Sequence, residues 1–278
     1  MKSELKIAFL QMNSIDDKMA NLRQFKKLCS EITPGSVDLI ISPENTFFYR
    51  IGKSNLTLKD CVSVNDELIG EVKKISDSLD ASILIGATPT NDDGKIFNSS
   101  IWVSPGGVAE IVYRKIHLFD VDVGETSVRE SDQFVAGSEI TYRHFKGWKI
   151  GFSICYDLRF GELYQILNDP PVDLILVPAA FLPQTGQAHW HTLLRARAIE
   201  FQSYVIAPAQ SGIHNGANQE TRSSYGHSLA VDPWGRVLID LEQKEPSVGI
   251  VSVSKLDIST VRASIPMKSH RKLRHLPP

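Results

Sequence analysis

A cysteine that acts as a nucleophile needs a base to take its proton and a donor to hold the charge that develops on the carbonyl it attacks. Three stretches of this chain offer those groups. Cys155 closes the apolar run Ile150-Gly151-Phe152-Ser153-Ile154, and Tyr156-Asp157-Leu158-Arg159-Phe160 then turns into a helical pattern. Alone, a cysteine closing an apolar strand is more often a small buried hydrophobe. Between a strand end and a helix start, however, the helix dipole favours the thiolate. The first N–H groups beyond it, near Tyr156, are free to face an oxyanion. Glu44, in Ile41-Ser42-Pro43-Glu44-Asn45, also stands at the end of a buried strand, where a carboxylate either sits on a rim or has a task. Lys115, in Tyr113-Arg114-Lys115-Ile116-His117-Leu118, follows a hairpin strand, where a lysine is ordinarily solvated.

The elements that must position these residues follow from the hydrophobic pattern. Strands are predicted over Leu5–Leu10, Val37–Ser42, Ser82–Ala87, Trp148–Ile154, Leu174–Pro178, Tyr204–Pro208 and Gly249–Val253. Helices are predicted over Ala20–Ile32, the later part of Leu56–Leu79, Gly161–Leu167 and Trp190–Phe201. Hairpins are read at Pro105-Gly106-Gly107, between Ile101–Val103 and Ala109–Arg114, and at Pro233-Trp234-Gly235, between His227–Val231 and Arg236–Leu241. Runs such as Leu39-Ile40-Ile41 and Leu174-Ile175-Leu176-Val177 are apolar at successive positions, so both faces of those strands must be covered. The fold class is therefore α/β with mixed sheets, and a layered sandwich fits better than a barrel.

Composition narrows the function. The 278 residues suit one large domain, 1–278, with a tail from about 255 expected to contact a partner subunit. A formal charge of −2 provides no general field for nucleic acid or an anionic membrane. The basic stretch Lys268–His275 reads as a solvated or subunit-contacting tail. No apolar run is long enough for a signal-peptide core or a membrane span. Three cysteines, Cys29, Cys61 and Cys155, are too few for a disulfide framework and point to a reducing, cytoplasmic setting.

The three reactive segments also carry a resemblance. A chain with P-E after a first βαβ unit, Y-R-K-I-H-L after a hairpin and I-C-Y-D-x-R-F after a later strand resembles the nitrilase superfamily of carbon–nitrogen hydrolases. The likeness runs from Ile7-Ala8-Phe9-Leu10-Gln11 to Asp232-Pro233-Trp234-Gly235. It implies a four-layer α-β-β-α sandwich and a catalytic triad of Glu44, Lys115 and Cys155. It also implies a second glutamate, for which Glu130 is the best match and Glu125 the fallback, because the Val123-Gly124-Glu125-Thr126 loop is one residue shorter than the usual form. In the implied reaction Glu44 deprotonates Cys155, and Lys115 and the Tyr156 N–H hold the oxyanion. A thioester then forms, ammonia leaves and water hydrolyses the thioester. Lys115 is expected to favour the charged forms of both Glu44 and the thiol. No cofactor or metal is implied.

Further stretches narrow the branch. Ala179-Ala180-Phe181-Leu182-Pro183-Gln184-Thr185-Gly186, His189-Trp190, Leu193 to Glu200, Ala209-Gln210-Ser211-Gly212-Ile213-His214 and Ser224-Tyr225-Gly226-His227-Ser228 resemble the branch of deaminated glutathione amidase and omega-amidase. That resemblance implies a small-molecule 2-oxo acid amide as substrate and a homodimer or higher oligomer. Arg159 suits bidentate binding of a substrate carboxylate, with a structural ion pair to Asp157 or Glu162 as the other reading. Phe181 and Thr185, on the loop after the Leu174 strand, are expected to line the pocket, and Trp190 to be core. His189 and His191 are two apart on a helix and make a poor metal pair. Asp120-Val121-Asp122-Val123-Gly124 lacks most ligands of a calcium loop. Asn45 to Arg50 departs from the branch pattern beside the pocket. Omega-amidase, carbamoylase and nitrilase activities, a non-catalytic binding protein and a redox-sensing thiol therefore stand as alternatives.

Overall fold

The runs that read as strands covered on both sides lie at the centre of two six-stranded sheets. The structure, a computed structural model, describes residues 2–52, 56–123, 126–243 and 245–272. The first sheet contains β1 (Glu4–Gln11), β2 (Leu39–Ile41), β3 (Ser82–Asp92), β4 (Lys95–Val103) and β5 (Ala109–Arg114), with the last strand, β16 (Ser247–Ser254), antiparallel beside β1. Two further strands, β6 (Asp120–Val123) and β7 (Thr126–Arg129), form a separate ribbon. The second sheet has the order β15 (Val237–Asp240), β14 (Leu229–Val231), β11 (Tyr204–Ala207), β10 (Leu174–Leu176), β9 (Trp148–Phe152), β8 (Tyr142–Phe145). A last ribbon pairs β12 (Ser211–Asn215) with β13 (Thr221–Tyr225). In each sheet three central strands are parallel and the flanking strands are antiparallel.

The side-chain alternation of a strand explains the four layers. Ile7, Phe9, Leu39 and Ile41 point into one core, which they share with Ile150, Phe152, Leu174 and Leu176 of the second sheet. Ala8, Leu10 and Ile40 point the other way, into a core closed by Leu22, Phe25 and Leu28 of α1 (Lys18–Cys29) and Ile69 and Val72 of α2 (Glu67–Leu79). The outer face of the second sheet is covered by α3 (Gly161–Leu167) and α4 (Pro183–Phe201), through Leu163, Tyr164, Trp190, Leu194 and Ala198. The expected α-β-β-α sandwich is thus the observed architecture, with mixed sheets.

Several element boundaries differ from those expected. α4 begins at Pro183, seven residues before Trp190. Proline is suited to the first helical position, where its missing N–H costs nothing. The first turns escaped hydrophobic periodicity because their inward residues, Thr185 and Gly186, are small. Thr185 is therefore a helix residue rather than a loop residue. The chain beyond Ser254 continues as α5 (Lys255–Ser264) and α6 (Met267–His270). Ile258 of α5 is buried, and Gln202 Nε2 donates to Ile265 O at 2.7 Å, so this segment folds onto its own chain. No helix among the described residues is long and apolar enough to cross a membrane.

Candidate active site

Three strand ends meet where the sheets face each other, and each delivers one reactive side chain. Glu44 follows β2, in a turn tied by Thr46 Oγ1 donating to Pro43 O at 2.6 Å and by Ser42 and Thr46 hydroxyls 2.7 Å apart. Gln210 holds the same turn by donating to Glu44 O at 2.8 Å. Lys115 follows β5 and Cys155 follows β9. All three are almost fully buried, at 3, 2 and 6% exposure, and all three line one cavity. A buried lysine and glutamate need partners. Lys115 Nζ donates to Glu44 Oε1 at 2.8 Å and to Glu130 at 2.7 and 3.0 Å. Glu130 is anchored further by the Phe119 N–H at 2.7 Å. Glu130 thus stands where the second glutamate was expected, while Glu125 lies outside the described residues.

Asn98 was missed from sequence. It sits mid-strand in β4 at 1% exposure and donates through Nδ2 to Glu44 Oε1 at 3.0 Å and Glu130 Oε1 at 3.3 Å. Its amide joins the two carboxylates that flank Lys115. Asn98 lies outside the predicted Ile101–Val103 strand, which extends in the structure to Lys95–Val103, so no inward position was read for it.

Cys155 adopts the left-handed region, at φ 48°, as the first residue of a five-residue 3-10 turn, Cys155–Arg159. Such a conformation is strained for any residue but glycine and is concentrated at functional positions. The turn is held from both ends. Cys155 N–H donates to Pro178 O at 2.9 Å. Asp157, fully buried, accepts from Tyr113 OH at 2.7 Å, from the His117 N–H at 2.9 Å and from the Ile154 N–H at 2.9 Å, and pairs with His117 Nδ1 at 2.8 Å. Asp157 therefore fastens the Lys115 segment to the Cys155 turn. Tyr156 N–H lies in the first turn, where helix geometry supplies no acceptor.

The electrostatics qualify one expectation. Burial, together with the Glu44 carboxylate, pushes the Cys155 thiol well above its ordinary pKa, against Lys115, which pulls it down. Lys115 thus acts as expected in favouring the thiolate, but burial and Glu44 act against it more strongly, which leaves a role for a base. Lys115 itself is held well above the ordinary lysine range: burial disfavours its charge, but Glu130 and Glu44 outweigh burial. Cys29 and Cys61 are also raised by burial, to about 12 and about 11, and all three cysteines are free.

The cavity has an apolar side that includes Phe48, Leu56, Phe119, Val128, Phe134 and Phe181, and three arginines, Arg50, Arg159 and Arg222. Arg159 forms no ion pair among the described residues. Its guanidinium lies 5.3 Å from the Phe181 ring and 5.7 Å from the Tyr156 ring, with Nη1 3.0 Å from His189 Nδ1. Asp157 is occupied by Tyr113, His117 and Ile154 instead. Thr185 lines the cavity from α4, and Trp190 is core at 1% exposure. Arg50 ends the Asn45–Arg50 segment that was expected beside the pocket, although no role was assigned to it, and Arg222 was not anticipated.

The carbon-nitrogen hydrolase family model matches residues 6–264. The chain belongs to the carbon-nitrogen hydrolase family. It is thus a hydrolase acting on carbon–nitrogen bonds other than peptide bonds. It is similar to deaminated glutathione amidase of Dictyostelium discoideum, at 37% identity over 97% of this chain and 94% of that one. It is also similar to deaminated glutathione amidase of Synechocystis, at 34% identity over 95% of this chain and 97% of the other. Among solved structures, a CN-hydrolase superfamily protein of Xanthomonas campestris matches with a TM-score of 0.83 and 26% identity, over 99% of this chain and 100% of its own. The Caenorhabditis elegans NitFhit protein matches with a TM-score of 0.85 and 30% identity, over 98% of this chain and 66% of that one. The Gln210 and His214 residues of the branch-like stretch have structural duties in this hydrolase. His214 Nδ1 faces Ser14 O at 2.7 Å, and its pKa is lowered to about 4, chiefly by burial, so it bridges the core as a neutral ring.

Proposed function

We propose that the protein hydrolyses the amide at the distal carboxyl of a 2-oxo acid, the primary carboxamide of 2-oxoglutaramate or the secondary amide of deaminated glutathione, through a thioester on Cys155. The observation that carries the reading is the buried Lys115 held between Glu44 and Glu130 in the cavity that contains the Cys155 thiol. Glu44 takes the thiol proton, and the sulfur bonds to the amide carbon. Lys115 Nζ and the Tyr156 N–H hold the tetrahedral oxyanion. Glu44 returns the proton to the nitrogen, the C–N bond breaks and the amine leaves, as ammonia from a primary carboxamide or as cysteinylglycine from deaminated glutathione. Water, deprotonated by Glu44, then adds to the thioester. The C–S bond breaks, giving the carboxylic acid and the thiol. Glu130 and Asn98 keep Lys115 and Glu44 in register during these transfers.

The substrate class is supported by the two amidase relatives and by the cavity's arginines. A 2-oxo acid carries a carboxylate at the end remote from the amide, and Arg159 offers it a planar fork. The protein works on a small molecule and is expected to act in the cytoplasm as a homodimer or larger assembly. Release of the carboxylic acid from 2-oxoglutaramate, deaminated glutathione and a neutral amide of similar length tests the reading, with wild type and Arg159→Lys. The expected result is a preference for the oxo acid amides and a KM raised by roughly tenfold or more for them alone in the variant, the scale of one lost charged contact. Equal effects on charged and neutral amides would remove the carboxylate role.

A further inference from the structure

Behind the Phe181 and Thr185 side of the cavity lies a second cluster that the hydrolysis does not use. His191 of α4, His227 just before β14 and Asp240 at the end of β15 converge, and their ligand-capable atoms all lie within 4.8 Å of one another. His191 Nε2 is 2.9 Å from Asp240 Oδ2, and His227 Nδ1 is 3.0 and 3.1 Å from the two Asp240 oxygens. On the helix, His189 turns instead to Arg159. The partner for His191 comes from elsewhere in the chain.

We propose that His191, His227 and Asp240 form a binding site for a divalent transition-metal ion of the zinc type, with solvent completing the coordination. Three lines of geometry and chemistry support it. Two imidazoles and one carboxylate suit zinc and disfavour calcium or magnesium, which take oxygen ligands. Ligand atoms of a tetrahedral zinc ion stand roughly 3.3 Å apart for bonds of about 2.0 Å, and the carboxylate-to-imidazole separations are already close to that. The ligands are also braced. His227 is held in the left-handed region, at φ 56°, by its N–H donating to Glu242 O at 2.8 Å and its carbonyl accepting from Trp190 Nε1 at 2.8 Å. Asp240 Oδ1 accepts from the Glu242 N–H at 2.7 Å. Such support of the ligands is what metal sites use to fix orientation. All three side chains are partly exposed, at 34, 21 and 26%, so an ion and its water can reach them.

The site would clip α4 to the β14–β15 hairpin. Tyr225 stacks on His227 with ring centres 4.4 Å apart, donates its N–H to Phe181 O at 2.9 Å and packs against Gly186. An ion there would therefore stiffen the wall that carries Phe181 and Thr185. The competing state is a carboxylate shared by two imidazole N–H groups, with no metal affinity.

Zinc titration of the tag-free Cys155→Ala chain, which lacks the site thiol, separates the two. One zinc ion per chain is expected. His191→Gln and Asp240→Asn, introduced into the same chain, should each weaken binding by roughly tenfold or more. Cobalt(II) added to the Cys155→Ala chain should give the intense visible bands of tetrahedral coordination, which needs no further variant. Absence of stoichiometric zinc binding, affinity undiminished in either variant relative to the Cys155→Ala chain, or only the weak bands of octahedral cobalt would overturn the assignment.

Discussion

Lys115 is buried with a carboxylate on either side, Glu44 at 2.8 Å and Glu130 at 2.7 Å, and such an arrangement has a defined energetic logic. Removing one partner of a buried ion pair leaves an uncompensated charge, which costs about 3–5 kcal/mol. Lys115→Met should therefore lower stability and, if Lys115 holds the oxyanion, reduce kcat by roughly 10²–10³-fold. Steady-state kinetics on protein first shown to be folded checks this. Loss of stability with kcat unchanged would reduce Lys115 to a structural role. At this scale the sequence was most informative where chemistry concentrates in short segments: Glu44, Lys115 and Cys155 each close a strand. It was silent on Asn98, because a side-chain amide within a strand gives no periodic signal and its partners are distant in sequence. The direction of the Cys155 shift was also hidden, because burial depends on what packs over the thiol and not on the residues adjoining it.

The elements that bring these residues together tolerate little displacement. Gly86 in β3 is one position where the backbone must come close: an added Cβ would lie 1.9 Å from Ser42 O and 2.5 Å from Pro178 Cβ. Ser42 belongs to the Glu44 turn and Pro178 anchors the Cys155 N–H, so both strand ends press on this one residue. Gly86→Ala should destabilise by about 1–3 kcal/mol and lower kcat as well, because relief requires moving one of the two turns. Chemical denaturation and turnover on the same preparation test both parts; unchanged stability would show that the approach is looser than described. Cys29 gives a pH test of the α1 packing. Its folded pKa of about 12 lies above the ordinary 9.0 because burial disfavours the thiolate. The unfolded chain therefore releases this proton first, and its contribution to stability is complete below about pH 9 and lost as pH rises toward 12. Cys29→Ala should lose stability less steeply than wild type over that window, as measured by denaturation at stepped pH. Identical slopes would contradict the burial. Strongly periodic elements such as α3 were legible to the residue. The β12–β13 ribbon was not, because the residues it buries, Ser211, His214 and Ser224, are polar, while Ile213 is exposed.

In the whole molecule each sheet contributes to the chemistry: Glu44, Lys115 and Asn98 come from the first, Cys155 and Arg159 from beyond a strand of the second. The site exists only when the two sheets are packed face to face, which ties the activity to the integrity of the shared core. The layered architecture was legible because runs such as Leu39-Ile40-Ile41 demand cover on both sides. The pocket's specificity was less so, since the Asn45–Arg50 segment departs from the branch pattern and Arg222 reaches the pocket from a segment without a motif. The central claim concerns the nucleophile, and intact-protein mass spectrometry during turnover tests it most directly. Rapid acid quenching of the enzyme with an amide substrate should show a chain heavier by one acyl group, and peptide mapping should place that group on Cys155. Cys155→Ser should show no turnover and no such adduct while remaining folded. An acyl group found on Cys29 or Cys61, or sustained ammonia release by Cys155→Ser, would contradict the account.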